Sequence, residues 1–221
     1  MIISSSLHPN HANAQAQLKC IKSWQRFGQV VFMQHESEIE TLETDFPDYD
    51  FIPAPLTVER LLGKKLVAIN SFIIAAKTAN EDLLLINSDI LIADLPKLKQ
   101  DGITCFQRND YKLKYGDGKP FNNGWDAFYI PKEFLNIFPP SIYAMGACWW
   151  DYSMPYTAIK ENVPLYLNSS ACYHKEHKLQ WNFNEWVFYG EYFRLMNNLK
   201  QFAKVQDMGT YILNKIKQSF A

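Results

Sequence analysis

The stretch that decides the fold runs from Asp82 to Ile92 and reads DLLLINSDILI. Four consecutive large aliphatic residues, Leu83 to Ile86, show no polar alternation, which predicts a strand buried on both faces as in a parallel sheet. The polar triplet Asn87-Ser88-Asp89 follows at the carboxyl end of this strand. Ligands of open α/β sheets bind at that edge, so Asp89 is a candidate metal ligand.

Composition narrows the class of protein. A chain of 221 residues suits one α/β domain, and its 22 basic and 23 acidic residues give no electrostatic reason to expect a nucleic-acid partner. No apolar run approaches the roughly 20 residues needed to span a bilayer, and the N-terminus lacks a basic segment followed by an apolar one. We therefore expect a cytoplasmic protein. Four cysteines without a CxxC pair predict reduced thiols.

Short apolar strands alternate with helical periods along the chain. The first predicted strand is Ile2 to Ser6, a helical spacing follows from Leu18 to Phe27, and Gln29 to Met33 forms the second strand. Further predicted elements are a polar helix near Glu36 to Thr44, a helix from Leu66 to Ala76, a short helix capped by Asp94 and ending before Gly102, a strand from Ile103 to Gln107, a strand from Trp125 to Ile130, a helix from Lys132 to Phe138 and a strand from Val163 to Leu167. This β-α-β-α order predicts a mainly parallel central sheet flanked by helices.

Two segments depart from simple alternation. Residues 115 to 124 (YGDGKPFNNG) are rich in Gly, Asn, Asp and Pro and predict a loop of a length that is often functional. The region after Asn184 is predicted helical, and we assign residues 181–221 to a helical C-terminal extension packed on the same domain. Its last thirty residues hold five basic and one acidic side chain. This excess fits either peripheral contact with an anionic membrane surface or a solvated helical face.

The segments INSDI, GWDAFYIPKEF, WWDYSMPYTAIKENVPLY and HKEH together resemble a group of small bacterial and viral glycosyltransferase-like proteins of the GT-A fold. The similarity covers roughly residues 1–180. It implies an α/β, Rossmann-like single domain that uses a nucleotide-sugar donor, with a DxD-like motif binding the cation that bridges the donor diphosphate. Asp89 matches the last acidic position of that motif. Asn87 stands at the first acidic position and supplies no charge, so the motif is degenerate.

A divalent cation is the cofactor that the resemblance implies. Mg²⁺ or Mn²⁺ suits a site of carboxylate and phosphate oxygens, and an imidazole ligand favours Mn²⁺. His174 and His177 form an H-x-x-H pair that could place an imidazole near the cation. Two histidines at this spacing also occur as surface or structural residues. Cys172 allows a Cys/His zinc site, but a fourth ligand is missing.

Asp151 is the candidate catalytic base, because an acceptor hydroxyl must lose its proton as it attacks the anomeric carbon. The resemblance places an acidic residue at the start of this helix, and direct attack predicts an inverting hexosyltransferase. The alternative is that Asp151 only caps its helix. On the acceptor side, the predicted substrate-binding residues could equally be core residues. They are Gly124, Trp125, Asp126, Trp149 and Trp150.

The donor site is predicted from positions at strand ends. Asn87 can hydrogen-bond a ribose hydroxyl and Ser88 stands beside it, while Arg108 ends the next strand and could meet diphosphate oxygens. The other candidates are also explained by turn chemistry or a solvated surface. They are Ser4, Ser5, Ser6, Lys64 and Lys65.

Three functions fit the pattern. The first is a metal-dependent glycosyltransferase that moves a sugar from a UDP- or GDP-sugar to a glycan or glycolipid hydroxyl. The second is a nucleotidyltransferase, which needs a glycine-rich basic loop after the first strand; the segment at residues 7–13 (LHPNHAN) has no glycine. The third is a non-catalytic nucleotide-sugar or glycan-binding module, which the degenerate motif favours. The sequence leaves the oligomeric state open.

Overall fold

The computed structural model describes residues 1–114, 117–121, 124–177, 182–200 and 207–218. Its N-terminal part alternates strands and helices, as the sequence predicts. The elements in chain order are β1 (Ile2–Ser5), α1 (His11–Trp24), β2 (Gln29–Gln34), a 3₁₀ turn (Glu36–Glu38), α2 (Ile39–Asp45), β3 (Phe51–Pro53), α3 (Glu59–Leu62), α4 (Ile69–Ala79) and β4 (Leu83–Ile86).

The remainder of the chain is richer in antiparallel strands. Its elements are β5 (Ile90–Ile92), β6 (Ile103–Tyr111), β7 (Lys119–Pro120), β8 (Ala127–Ile130), a 3₁₀ helix (Lys132–Ile137), α5 (Trp150–Lys160), β9 (Leu165–Lys175), α6 (Phe183–Met196) and α7 (Met208–Gln218). Within the described residues, nine strands form one sheet in the order β3-β2-β1-β4-β8-β6-β9-β5, with β7 paired to β6.

The sheet is parallel where the chain alternates and mixed beyond that point. Strands β3, β2, β1 and β4 pair in parallel, as do β6 and β9. Strand β8 enters antiparallel between β4 and β6, and β5 pairs antiparallel with β9. The predicted fold class is confirmed: an α/β protein with a Rossmann-like parallel portion and helices on the sheet.

Strand β4 joins the two halves of the core. Leu83 and Leu85 pack in one hydrophobic cluster, with α4 and α5, whereas Leu84 and Ile86 pack in the other, with α1 and α2. All four side chains are fully buried, and burying each of them contributes about 1.5–3 kcal/mol relative to exposure. Because both faces are covered, the strand needs no polar alternation. The Asn87-Ser88-Asp89 turn is thereby anchored at the carboxyl end of β4.

Several predicted elements differ from the structure. The helix predicted from Asp94 is absent from residues 93–102, which have an irregular path that starts with the backbone bond from Ala93 N to Ala171 O. The strand predicted to end at Gln107 continues as β6, and the strand predicted to end at Leu167 continues as β9. The parallel register between them shifts after Phe106, because β9 accommodates extra residues there. The side chain of Asn168 accepts bonds from the following backbone and stabilises this bulge.

The two C-terminal helices cover the first cluster. Tyr189 and Phe193 of α6 and Ile212 and Ile216 of α7 are fully buried against it. The basic excess predicted for this region lies partly on residues outside the described ranges. All four cysteines are buried free thiols, as predicted. In the described parts of the chain, no helix combines the length and apolarity needed to cross a bilayer.

Candidate active site

Three predicted metal ligands converge at the carboxyl end of β4. Asp89 lies in the turn between β4 and β5. His174 lies near the end of β9, where it pairs with Ile90 of β5, and His177 follows shortly after that strand. Asp89 Oδ2 lies 3.0 Å from His177 Nε2 and 3.5 Å from His174 Nε2. One ligand atom from each residue lies within 4.8 Å of the others. The strand pairing therefore brings together side chains 85 residues apart in sequence.

This donor set fits a divalent cation. Asp89 offers a carboxylate oxygen and the two histidines offer imidazole nitrogens, a mixture that suits Mn²⁺ and other first-row ions. The side chain of Asp89 is 40% exposed and that of His177 is 44% exposed, so a solvent-borne ligand can reach them. These two residues and His174 could hold the cation from the protein side.

A hydrogen-bonded network of Asp110, Arg108, Asp126 and Asn87, here called the anion network, extends inward from the three candidate ligands. Asp110 Oδ1 lies 2.8 Å from His174 Nδ1 and also accepts a 2.8 Å bond from Arg108 Nε. Arg108 Nη1 donates to both carboxylate oxygens of Asp126 at 3.1 Å. The amide of Asn87 donates to Asp126 Oδ1 at 2.8 Å. One guanidinium thus links the carboxylate behind His174 to the carboxylate behind Asn87.

Part of the predicted loop completes this network. Strand β7 folds back on β6, and Phe121 N donates to Arg108 O at 2.9 Å. The Arg108 guanidinium carbon lies 4.2 Å from the centroid of the Phe121 ring, a cation–π distance. Residues 115, 116, 122 and 123 of that loop lie outside the described residues. The described part serves to fix the orientation of Arg108.

Asp151 stands in the first turn of α5. The backbone N–H groups of Asp151 and Tyr152 donate to its carboxylate, as expected at a helix N-terminus. Trp149 precedes the helix in the left-handed region with φ 73°, a strained conformation for a side chain of this size. Gly124, with φ 152°, passes so close that an added Cβ would contact Asp151 Oδ2. Only glycine leaves room for the carboxylate in this position.

The pKa values of Asp89 and Asp151 are shifted in opposite directions. Burial, together with the neighbouring charge of Asp126, raises the pKa of Asp151 from its ordinary value of 3.8 to about 7. Burial opposes ionisation of Asp89 as well, yet its hydrogen bonds with His174 and His177 lower its pKa below the ordinary value. Asp151 is thus poised to exchange a proton near neutral pH, whereas Asp89 stays ionised.

The same charges act on the connecting groups. Burial raises the pKa of Asp126, and Arg108 only partly offsets this effect. Burial lowers the pKa of His174, but the charge of Asp89 and the hydrogen bonds to Asp89 and Asp110 reverse the shift and leave that pKa raised. Asp126 interacts electrostatically with both Asp89 and Asp151. The candidate metal ligand and the candidate base therefore belong to one charge cluster.

The structure does not bring all predicted donor residues to this cluster. Ser4 and Ser5 are buried in the sheet, where Ser4 Oγ donates to Val31 O and Ser5 Oγ contacts Met145 Sδ. Ser6 Oγ donates to Gln34 Oε1 at 3.0 Å. These hydroxyls are engaged within the protein because β1 lies between β2 and β4 in the sheet and Ser6 directly follows it.

The two lysines also lie apart from the anion network. Lys64 forms an ion pair with Glu185 of α6. Lys65 is exposed, and its charge acts to lower the pKa of Glu38. Ser88 occupies the turn between Asn87 and Asp89. Arg108, predicted to meet diphosphate oxygens, lies in the network, where Asp110, Asp126 and the ring of Phe121 contact it.

The predicted sugar-stacking rings are core residues in this structure. Trp125, Trp149 and Trp150 are at most 2% exposed. The Trp149 ring packs on Trp186 of α6 and donates from Nε1 to its carbonyl at 2.9 Å. Asp126, predicted to face the acceptor, is also buried. Of the acceptor-side set, Gly124 comes against the Asp151 carboxylate itself.

Sequence reasoning missed Asp110 and Phe121. The sequence holds a weak signal for Asp110: in a strand, residues 108 and 110 lie on the same face, so their opposite charges come together. The expected strand ended at Gln107, however, and the parallel register of Asp110 with His174 follows from the bulge in β9. That register has no counterpart in local sequence spacing.

No family model and no curated protein matches this chain. Similar solved structures include one described as a glucose-1-phosphate thymidylyltransferase from Bacillus anthracis, with 10% identity over 77% of this chain and 86% of that chain and a TM-score of 0.41. A glycosyltransferase involved in glycosylation of the major capsid of PBCV-1 shows 11% identity over 78% of this chain and 92% of that chain, also with a TM-score of 0.41.

A galactosyltransferase, LgtC, in complex with donor and acceptor sugar analogs shows 9% identity over 96% of each chain, with a TM-score of 0.36. Glycosyltransferases and a nucleotidyltransferase are thus among the structural neighbours of this α/β chain. The identities and TM-scores are too low for these neighbours to decide its activity. Conclusions about function rest on the charge cluster and its geometry.

Proposed function

We propose that this protein is a metal-dependent glycosyltransferase that transfers a sugar from a nucleotide-sugar donor to an acceptor hydroxyl. The observation that carries the proposal is the convergence of Asp89, His174 and His177 at the sheet edge, in one charge cluster with Asp151, whose pKa is about 7. A cation site and a proton acceptor are the two parts that such a transfer requires.

Each residue has a role within its own geometry. Asp89, ionised at neutral pH, and the Nε2 atoms of the two histidines would hold the cation, Mn²⁺ in preference to Mg²⁺. When bound, this cation would offset the charge that develops on the leaving nucleoside diphosphate. Asp151 would accept the proton of the attacking hydroxyl, and direct displacement would invert the anomeric configuration.

The raised pKa of Asp151 supports its role as base. A carboxylate with an ordinary pKa near 3.8 is a weak proton acceptor, whereas one near 7 matches the working pH. A carboxylate that only caps a helix is favoured in its ionised form. The burial that raises the pKa of Asp151 opposes that form. The donor would be a UDP- or GDP-sugar and the acceptor a glycan or glycolipid.

A non-catalytic binding module of the same fold is the second candidate. It is favoured by Asn87, which replaces a carboxylate of the expected motif and donates its amide to Asp126 instead of facing outward. Such a module would bind nucleotide or sugar without releasing nucleoside diphosphate. Turnover therefore separates the two candidates.

A two-stage experiment tests the proposal. Thermal shifts are first measured with UDP, GDP, CMP and TDP, each with and without Mn²⁺, and we expect one diphosphate to stabilise the protein only with metal. The matching nucleotide sugar is then incubated with the protein and glycan acceptors, and release of nucleoside diphosphate is followed. Metal-dependent binding without release would favour the binding module, and no metal-dependent shift would contradict the proposal.

A further inference from the structure

His174 differs from the other two candidate ligands in how firmly it is held. Its side chain is only 6% exposed, against 40% for Asp89 and 44% for His177. Residue 174 sits opposite Asp110 in the parallel register of β6 and β9 and opposite Ile90 in the antiparallel register of β5 and β9. The backbone at residue 174 is therefore held between two strands.

The contact with Asp110 determines which nitrogen can bind a cation. A carboxylate accepts hydrogen bonds, so the 2.8 Å contact between Asp110 Oδ1 and His174 Nδ1 places a proton on Nδ1. In the neutral ring, Nε2 then carries the lone pair. Nε2 is the nitrogen that faces Asp89, 3.5 Å from its Oδ2. Without Asp110, either nitrogen could carry the proton.

Asp110 is itself held from behind. Arg108 Nε donates to the same Oδ1 at 2.8 Å, and Arg108 is fixed by two 3.1 Å bonds to Asp126 and by the ring of Phe121. Arg108 Nη1 bonds both oxygens of Asp126 while Nε bonds Asp110, so contacts at two positions on the guanidinium leave Arg108 little freedom to rotate. The Arg108–Asp126 pair therefore sets the orientation of the Asp110 carboxylate.

We propose that Asp110, held by Arg108, is a positioning residue that presents His174 Nε2 to the cation. This inference rests on the proposed metal site and adds a residue outside its ligand set. It also gives Arg108 a role other than contact with the donor diphosphate. Carboxylates that bind the second nitrogen of a ligating histidine typically change metal affinity by about 10- to 100-fold.

The test compares Mn²⁺ binding, without nucleotide, in the wild type, Asp110→Ala and Asp110→Leu, by electron paramagnetic resonance of free Mn²⁺. Asp110→Leu fills the space if Asp110→Ala fails to fold. We expect the Kd for Mn²⁺ to rise about 10- to 100-fold in each folded variant. Glu59→Gln is the matched control, because Glu59 pairs with His35 Nε2 at 2.9 Å outside the candidate ligand set; its Kd should equal that of the wild type.

A second measurement detects the orientation directly. Nitrogen-15 chemical shifts of the metal-free protein, recorded at a pH where His174 is neutral, report which ring nitrogen of His174 carries the proton. We expect Nδ1–H in the wild type and a loss of this preference in both Asp110 variants, with circular dichroism unchanged.

Mn²⁺ affinity within twofold of the wild type in a folded Asp110 variant, or retention of Nδ1–H there, would overturn the positioning role while leaving the metal site intact. Failure of the wild type to bind Mn²⁺ would instead contradict the proposed metal site. The ring-nitrogen assignment would then still decide whether Asp110 orients His174.

Discussion

Replacing Asp151 with Asn should make the protein more stable and less active, and both effects should depend on pH. The native carboxyl has a pKa of about 7, against an ordinary value of 3.8. Between about pH 4 and pH 7 the native state therefore holds a proton that the unfolded chain releases, so the free energy of unfolding falls as the pH rises through this window. Above pH 7 the effect is constant.

The displacement of the pKa sets the size of the effect. Three pKa units at 1.36 kcal/mol each correspond to up to about 4 kcal/mol. Asparagine keeps the size of the side chain and an oxygen that can accept from the helix N-terminus, but it does not ionise. The stability of Asp151→Asn relative to the wild type should therefore increase by up to this amount between pH 4 and pH 8.

Urea unfolding at pH 4, 5, 6, 7 and 8 measures this difference, with the exposed Asp94→Asn as control. Wild-type nucleotide release should rise with pH and level off above about pH 7, and Asp151→Asn should lower it by about 10² to 10⁴. A stability difference that does not change with pH would refute the shifted carboxyl. Near-normal turnover in Asp151→Asn would reduce Asp151 to a helix cap, and a retained anomeric configuration would exclude single displacement.

Three further perturbations probe the cluster. His174→Ala and His177→Ala, compared separately, should each raise the Mn²⁺ concentration for half-maximal nucleotide binding, the buried His174 by more; small, equal changes would argue against both as ligands. Gly124→Ala should displace the Asp151 carboxylate and lower turnover by about 10² while Mn²⁺ affinity stays unchanged, since a 1 Å misplacement can cost that much; unchanged turnover would show that the contact tolerates a methyl group. Asp126→Asn removes a charge that raises the pKa of Asp151, so the pH–rate inflection should move to lower pH; a shift to higher pH would contradict this electrostatic coupling.

The sequence predicted the half of the fold that local patterns determine. The unbroken run from Leu83 to Ile86 is visible because it is buried on both faces, and the helical spacing after Leu18 reflects a single buried face. The helix expected from Asp94 did not form, because backbone pairing at Ala93 and packing of Leu95 and Leu98 on the second cluster outweigh a weak capping signal. The antiparallel position of β8 depends on nonlocal strand pairing.

The proximity of the three candidate ligands could be anticipated from the sequence, but the residues that support them could not. Asp89 follows a strand that the pattern reveals, and the histidines were suggested by a family resemblance. Asp110 was missed because it reaches His174 only through a register that the bulge at Asn168 resets. The sequence could not distinguish the two readings of Trp149, because aromatic residues that line a pocket and aromatic residues in a core give the same sequence pattern. In the structure, Trp186 of α6 packs on the Trp149 ring.

Titration calorimetry with UDP- and GDP-sugars, with and without Mn²⁺, tests the central claim most directly when the wild type is compared with Asp89→Ala. The partly exposed Asp89 carboxylate adds little to core packing, so the variant should unfold at nearly the wild-type temperature. We predict that the wild type binds one of these donors only when Mn²⁺ is present and that Asp89→Ala binds none. Donor binding that does not require metal, or Mn²⁺-dependent binding that survives in Asp89→Ala, would contradict a cation site built on Asp89.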